Sequence, residues 1–485
     1  METNLKVHKV NLLPAKCALD LGDGSERGEY VSQDYIINKL GRPHRNINLM
    51  YTYYPNDKQW PERISVACKD MNVTYQWDYP YDDYFPYGGG SKGSTKGEPF
   101  TFMRDIRKHG QDITLTLTMD CSLPDKELYY IANELKTFGR MKLRINHECA
   151  GTWFTHNQRF TYKEIADFFV RFHNIIKEVA PNIQTVFCAG FSLDDSEVNA
   201  VSQEEDFLEA YKVADVWSAD RYLALHYGWP YDVCEKGGTT YSSYSITNIY
   251  EIVKKTAARL NEINGGVSKP FVISELNTDG DVTGPMKQGE SIKKFAYLFR
   301  DNNTDCLNGF TMYQFRDRGR LGLEVEDPNN SSVGIEQPIL KDYKEIMYDP
   351  YFMHQFDVNT DAQLELPFSM RWGSAEDAEG VGLALELDTM PVFCEIEFEE
   401  SLNLMMELNG RWFYKAPNTK VVDLMPAFFD STFEGPKNLV LKLFAPPATG
   451  ENDTTQGEDW NYNYTSVITK MPKLRIRYES IADVK

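Results

Sequence analysis

Glu148 closes the run MKLRINHE (141–148), and Glu275 lies one residue from the end of KPFVISEL (269–276). Each glutamate therefore sits at the carboxyl end of a segment that reads as a buried strand, where a charge costs solvation unless a cleft receives it. Two carboxyls are what cutting a glycosidic bond requires. One must be protonated, to donate to the leaving oxygen. The other must be ionised, to attack the anomeric carbon or to activate a water. At a separation of roughly 5–5.5 Å such a pair retains configuration and at roughly 6.5–9.5 Å it inverts, and spacing along the chain leaves both open. Burial and mutual repulsion push the two pKa values apart, which supplies an acid and a base near neutral pH.

The neighbours add candidates. Asn146 and His147 precede Glu148 and are placed to bind substrate hydroxyls or the second carboxylate. Arg144, two residues before Asn146, shares its face of the strand and calls for an acidic partner inside the fold. Trp153 follows the turn at Gly151 and offers a platform for a sugar ring. Each also has a plain structural reading: a strand-end histidine is usually a satisfied polar group, and a tryptophan can simply pack.

Other chemistries find little support. LGDGSERG (21–28) reads as a turn, and GGGSKGST (88–95) lacks the spacing of a phosphate loop. There is no HExxH, since His147-Glu148 has no second histidine. Asp194, Asp195 and Glu197 could hold calcium, but a solvated or cleft-lining loop is the simpler reading. No cofactor and no metal are expected.

The elements that must position these residues alternate. Strand-like runs at 47–54, 112–119, 141–148, 183–190, 214–220, 269–276 and 308–315 are separated by helical stretches such as 124–139, 161–180 and 247–263. Thr161 is a plausible cap for the second of these helices, and Pro181 follows its end. This is the α/β pattern of a (β/α)8 TIM barrel, whose active sites lie at the carboxyl ends of the strands. One early strand stays unassigned, and a doubly wound sheet is the runner-up. An aromatic, then Gly-rich segment at 75–95 reads as a long loop over one end, a candidate substrate wall. Beyond about residue 355 the helical stretches give way to alternating strands, the pattern of an all-β sandwich. The expected division is an N-terminal extension packing on the barrel (1–45), the catalytic barrel (46–350) and a C-terminal β-sandwich (355–485).

The 485 residues carry a net charge of −21, which repels nucleic acid and anionic membrane surfaces. No apolar run approaches the length of a membrane span. Eight scattered cysteines without a CxxC point to free thiols, and the N-terminus carries no apolar leader. A cytoplasmic location is expected, or a secreted one if a leader has been removed.

The motif Arg144, His147, Glu148, Gly151, Trp153 and Phe154 resembles the clan A glycoside hydrolases, closest to the family 26 mannanase-type enzymes. That resemblance implies a retaining mechanism, with Glu148 as acid/base and Glu275, in its Ser274–Glu275 context, as nucleophile. It also brings Asp220 and Tyr222 of ADVWSADRY into the site, and Tyr313-Gln314 with Arg316-Asp317 of the last strand. His226 joins the candidate substrate-binding set. The substrate it implies is a neutral, β-linked polysaccharide or oligosaccharide; the enzyme type it resembles is a mannanase-like endo-β-glycanase, with exo action open. Cys149-Ala150-Gly151 stands where the family has Met-Asn-Gly, and Leu276-Asn277-Thr278 where it has an aromatic and Gly. A non-catalytic carbohydrate-binding protein on the same scaffold is the alternative, and an enzyme acting on a non-polymeric glycoside a third reading.

Overall fold

The computed structural model describes residues 5–13, 15–23, 30–57, 85–190, 201–224, 246–317, 321–359, 365–371, 378–429, 435–446 and 465–478. Eight parallel strands form a ring: β1 (Ala18–Gly22), β2 (Asn46–Tyr53), β3 (Asp112–Met119), β4 (Met141–Ile145), β5 (Ile183–Cys188), β6 (Val216–Tyr222), β7 (Phe271–Asn277) and β8 (Gly309–Met312). The ring closes where β1 pairs with β8 on one side and, through Leu21↔Ile47 and Gly22↔Asn48, with β2 on the other. Each strand leads to a helix: α1 (Gln33–Leu40), α2 (Phe100–Lys108), α3 (Asp125–Lys136), α4 (Tyr162–Val179), α5 (Glu204–Val213), α6 (Ile246–Ile263), α7 (Pro285–Asp301) and α8 (Ile339–Met347). This is the expected (β/α)8 barrel, and closure rules out the doubly wound sheet.

Helix α4 shows how sequence sets these elements. Thr161 accepts from the Glu164 N–H while Glu164 reaches back to the Thr161 backbone, a capping box that fixes the first turn. Ile165, Phe169, Phe172 and Ile176 then recur at helical spacing and are buried in the main core. Each such side chain stabilises the fold by about 1.5–3 kcal/mol.

The strand missing from the sequence reading is β1, so the barrel begins well before residue 46. Its five residues include a buried Asp20, and Leu21-Gly22, its last two, belong to the stretch that reads as a turn. Segment 1–45 is therefore not one extension on the barrel. Lys6–Leu13 instead lies between Gln355–Asn359 and Ala378–Leu387 in a large antiparallel sheet that continues through Lys437–Phe444 and Leu404–Leu408 to Arg411–Lys415. A second antiparallel sheet orders Val421–Asp423, Phe393–Glu397 and Lys473–Arg477. Leu383, Leu385, Leu441 and Met406 of the first sheet share a core with Cys394 and Ile396 of the second. A backbone bond from Trp412 N to Gly41 O, 3.0 Å, ties the large sheet to the loop after α1.

Of the aromatic segment at 75–95, residues 75–84 lie outside the described residues, as do Asp194, Asp195, Glu197, Cys68 and Cys234. The glycine-rich part does bind an anion, but an internal one. Gly90 N–H donates to both carboxylate oxygens of Glu134 (3.0 and 2.9 Å), and Ser91 N–H to Glu127 at 2.8 Å, both acids on α3. A Cβ on Gly90, whose φ is +83°, would collide with the Tyr53 hydroxyl, so only glycine fits this close approach. The six described cysteines are free. Among the described residues no helix is long and apolar enough to cross a membrane.

Candidate active site

Strand β4 alternates: Leu143 and Ile145 enter the main core, which turns Arg144 to the barrel interior. There the buried guanidinium meets three other strands. Its Nε donates to Thr116 Oγ1 on β3 at 2.7 Å, Nη1 to Asp220 Oδ1 on β6 at 2.7 Å, and Nη2 to Glu275 Oε1 on β7 at 2.6 Å. Burial pulls the Arg144 pKa down, but Asp220 and Glu275 outweigh it and raise it, so Arg144 is a fixed positive charge.

Glu275 reaches the interior through a β-bulge. Against β6, Ala219 pairs with Ile273 but Asp220 pairs with Glu275, and against β8 the register shifts over the same stretch. The core-facing residues are consequently Phe271, Ile273 and Leu276, whereas a regular strand would have sent Glu275 into the core. Once re-aimed, Glu275 accepts from Arg144 on one oxygen and from the Tyr222 hydroxyl on the other, at 2.8 Å. Glu275 is buried, 4% exposed as a residue.

Glu148 is held differently. Strand β4 ends at Ile145, short of the expected 148, because Asn146 and Glu148 take left-handed φ values of 47° and 51°. Such a conformation costs a non-glycine residue roughly 1–2 kcal/mol. Compensating bonds fix the turn: Cys149 N to Cys188 O and Ala150 N to Ala189 O, both 3.0 Å. Asn146, expected at the substrate, serves this turn instead. Its Oδ1 accepts from Met119 N at 2.5 Å and its Nδ2 donates to Cys121 Sγ at 3.2 Å. Beyond the turn, Trp153 Nε1 donates to Glu148 Oε2 at 2.6 Å. Burial and then the charge of Glu275 push Glu148 up to about 7, against the pull of Trp153 and Arg144.

His147 is buried, its ring 4.6 Å from that of Phe154 and its Nε2 3.9 Å from Glu275 Oε1. Burial, Arg144 and His156 hold its pKa well below the usual value, so the ring is neutral at neutral pH. Asp220 is pushed up by burial, with Arg144 opposing at 2.7 Å and Glu275 and Glu148 adding to the rise. Three carboxyls thus surround one guanidinium, and full ionisation would leave two charges uncompensated. Glu148, whose hydrogen-bond donor is a neutral indole, is suited to carry a proton there. His147, Asp220 and Glu275 offer ligand atoms within 4.8 Å of one another, a grouping compatible in size with a metal ion. Arg144 already provides the cation between the two carboxylates and would repel another.

Met50, Phe154 and Tyr313 form an apolar cluster joined by Trp153, Tyr222 and Leu321. Tyr313 stands edge-on to Tyr222, ring centroids 5.9 Å apart. Arg144, His147, Glu148, Trp153, Asp220, Tyr222, Glu275 and Tyr313 are therefore brought together, Asn146 lies behind them, and His226 lies outside the described residues. Two residues escaped the sequence reading. Thr116 orients Arg144, and nothing in DITLTLTM separates it from its fellow threonines. Buried Asn277 donates to the carbonyls of Tyr313 and Leu321 and accepts from Thr278 N (2.7 Å) and Gln288 Nε2 (3.3 Å), bracing the loop after β8. Its signal was a polar residue in the stretch after Glu275 where the resemblance expects an aromatic and Gly.

No protein-family model matches the chain, and no curated protein matches it. Among solved structures it is similar to a GH51 arabinofuranosidase from Xanthomonas axonopodis pv. citri, at 14% identity over 91% of this chain and 100% of that one, TM-score 0.44. It is also similar to a GH26 beta-mannanase from Bacteroides ovatus, at 11% identity over 70% and 90% of the two chains, TM-score 0.41. A third is a monomeric beta-xylosidase from Caulobacter crescentus, at 10% identity over 91% and 98%, TM-score 0.45.

Proposed function

We propose that this protein is a retaining glycoside hydrolase in which Glu275 is the nucleophile and Glu148 the acid/base. One observation carries the reading: two carboxyls at the mouth of one barrel are held in opposite environments. Glu275 is an ion-paired carboxylate with a donor on each oxygen, and Glu148 is pushed up to about 7 beside it. In the first step a Glu275 oxygen bonds to the anomeric carbon as the bond to the leaving oxygen breaks, and the Glu148 proton passes to that oxygen. In the second step water attacks the anomeric carbon, its proton goes to Glu148, and the ester to Glu275 breaks. Trp153, Tyr222 and Leu321, half-buried and backed by the buried Met50, Phe154 and Tyr313, supply a wall for a sugar face. The motif around Glu148 favours a neutral β-linked glycan cut in endo, mannanase-like fashion, and the net charge of −21 is in keeping with a neutral substrate.

The test is reducing-end release from β-mannans, β-glucans, xylans, galactans and agar-type polymers, with Glu148→Gln and Glu275→Gln in parallel. Activity on one polymer should fall about 10²–10⁴-fold in Glu148→Gln and to background in Glu275→Gln. The first sugar anomer seen by NMR should keep the substrate's configuration. Equal activity in the folded variants would remove both assignments, and the opposite anomer would remove the nucleophile. Sugar binding without turnover would favour the carbohydrate-binding alternative.

A further inference from the structure

Glu148 and Trp153 are five residues apart and belong to one closed turn. Gly151 N bonds back to Glu148 O at 2.9 Å, and Asn157 Nδ2 to Cys149 O at 3.1 Å, while Phe154 N returns a bond to Asn157 Oδ1 at 3.2 Å. This turn lays the indole against the backbone of Gly151. A Cβ there would lie 2.7 Å from Trp153 Cζ2 and 2.8 Å from Cε2, closer than real contacts allow. The ring edge then points at the carboxyl, with Nε1 2.6 Å from Oε2. Trp153 is thus more than the sugar platform its sequence position suggests.

We propose that Trp153 is a positioning residue for the catalytic proton: its indole N–H occupies Oε2 of Glu148 and leaves Oε1 as the oxygen that carries and delivers that proton. The inference rests on the reading of Glu148 as acid/base. An indole nitrogen donates only. A protonated carboxyl has one carbonyl oxygen and one hydroxyl, and a donor facing the hydroxyl would set two hydrogens against each other. The proton therefore resides on Oε1. When it leaves for the glycosidic oxygen, the indole bond becomes charge-assisted and strengthens. The same bond thus stabilises the ionised Glu148 that must take a proton from water in the second step. Oε2 keeps its donor through both steps, and only Oε1 exchanges.

Two variants test this. Trp153→Phe keeps the ring and removes the N–H, and Gly151→Ala keeps the N–H and forces the ring away. Glu148 is followed in the substrate-free protein by carbon-13 NMR of labelled glutamate, its resonance assigned by its loss in Glu148→Gln. The midpoint of Glu148 should rise by about one pH unit in both variants. The basic limb of kcat/KM should rise with it. On a dinitrophenyl glycoside, whose leaving group needs no acid, kcat should fall as the second step slows. A Glu148 midpoint that stays put in both folded variants overturns the proposal. If Glu148→Gln keeps full activity while the midpoint still moves, the indole bond stands and the acid/base reading fails instead.

Discussion

The carboxyl ends of β4 and β7 hold two glutamates by opposite means. Glu275 is fixed from outside its own loop: Arg144 comes from β4, Tyr222 from β6, and Arg144 is itself held by Thr116 and Asp220. Glu148 is fixed from within its own turn, by one indole five residues on. The contrast matches the two jobs. A nucleophile stays ionised until it reacts and gains from every donor placed before the substrate arrives. A group that gives up and recovers a proton in each turnover would be trapped in one state by the same treatment. A bulge aims the first side chain, and a left-handed backbone aims the second.

The strongest way to break this contrast is to strip the β7 side of its cation. Arg144→Met leaves two buried carboxylates without a counter-charge and should cost about 3–5 kcal/mol of stability, read by denaturant unfolding. Activity should fall to background even well below the melting temperature. A variant as stable as the parent would show that the Arg144 pairs do not organise the site.

A gentler change sharpens the comparison. Tyr222→Phe removes one donor from Glu275 and leaves Arg144 in place, so kcat should drop about 10–100-fold, with folding little affected. A loss confined to KM would mean that Tyr222 serves the sugar and not the nucleophile.

The smallest effect separates the two ends by pH. The turn of Glu148 packs on His147 and His156 through Phe154, whose ring is 4.6 Å from the first and 5.6 Å from the second. Burial holds His156 down at about 3, and His147 well below its usual value. The opened chain takes up protons as pH falls through 6.5, while the folded chain takes up none on His156 until about 3. Stability present at neutral pH is therefore lost progressively below 6.5. Glu148 works in the other sense, since its raised pKa favours the folded state as pH falls from about 7 toward 4.5. In Glu148→Gln, where that contribution is gone, protection against amide exchange, taken relative to the intrinsic rate at each pH, should fall between pH 7 and 5 more at 146–157 than at 271–277. Equal change at both ends would count against the histidine support.

The barrel and both glutamates could be read from the chain because each repeats a simple local rule: apolar runs, helix caps and a carboxylate where a strand should end. What stayed hidden depends on neighbours in space. The bulge at Ser274 is visible only once β6 and β8 are alongside, although apolar residues at 271, 273 and 276 carry its trace. Asn146 looks like a ligand beside His147 and becomes a brace only when the end of β3 is in place to bond it. β1 was lost because five residues with an internal aspartate leave no period to detect.

The strand Lys6–Leu13 also imposes an order on synthesis. A ribosome delivers it before any of the barrel, yet its hydrogen-bonding partners, Gln355–Asn359 and Ala378–Leu387, emerge 342 (Leu13↔Gln355) to 378 (Lys6↔Ala384) residues later. Until then it is an unpaired β-edge beside a barrel that is still being made. Its lysines at 6 and 9 discourage such an edge from joining another chain, and Lys9 later meets Glu379 at 2.7 Å. Segments that emerge only after the whole barrel thus secure a strand made before it.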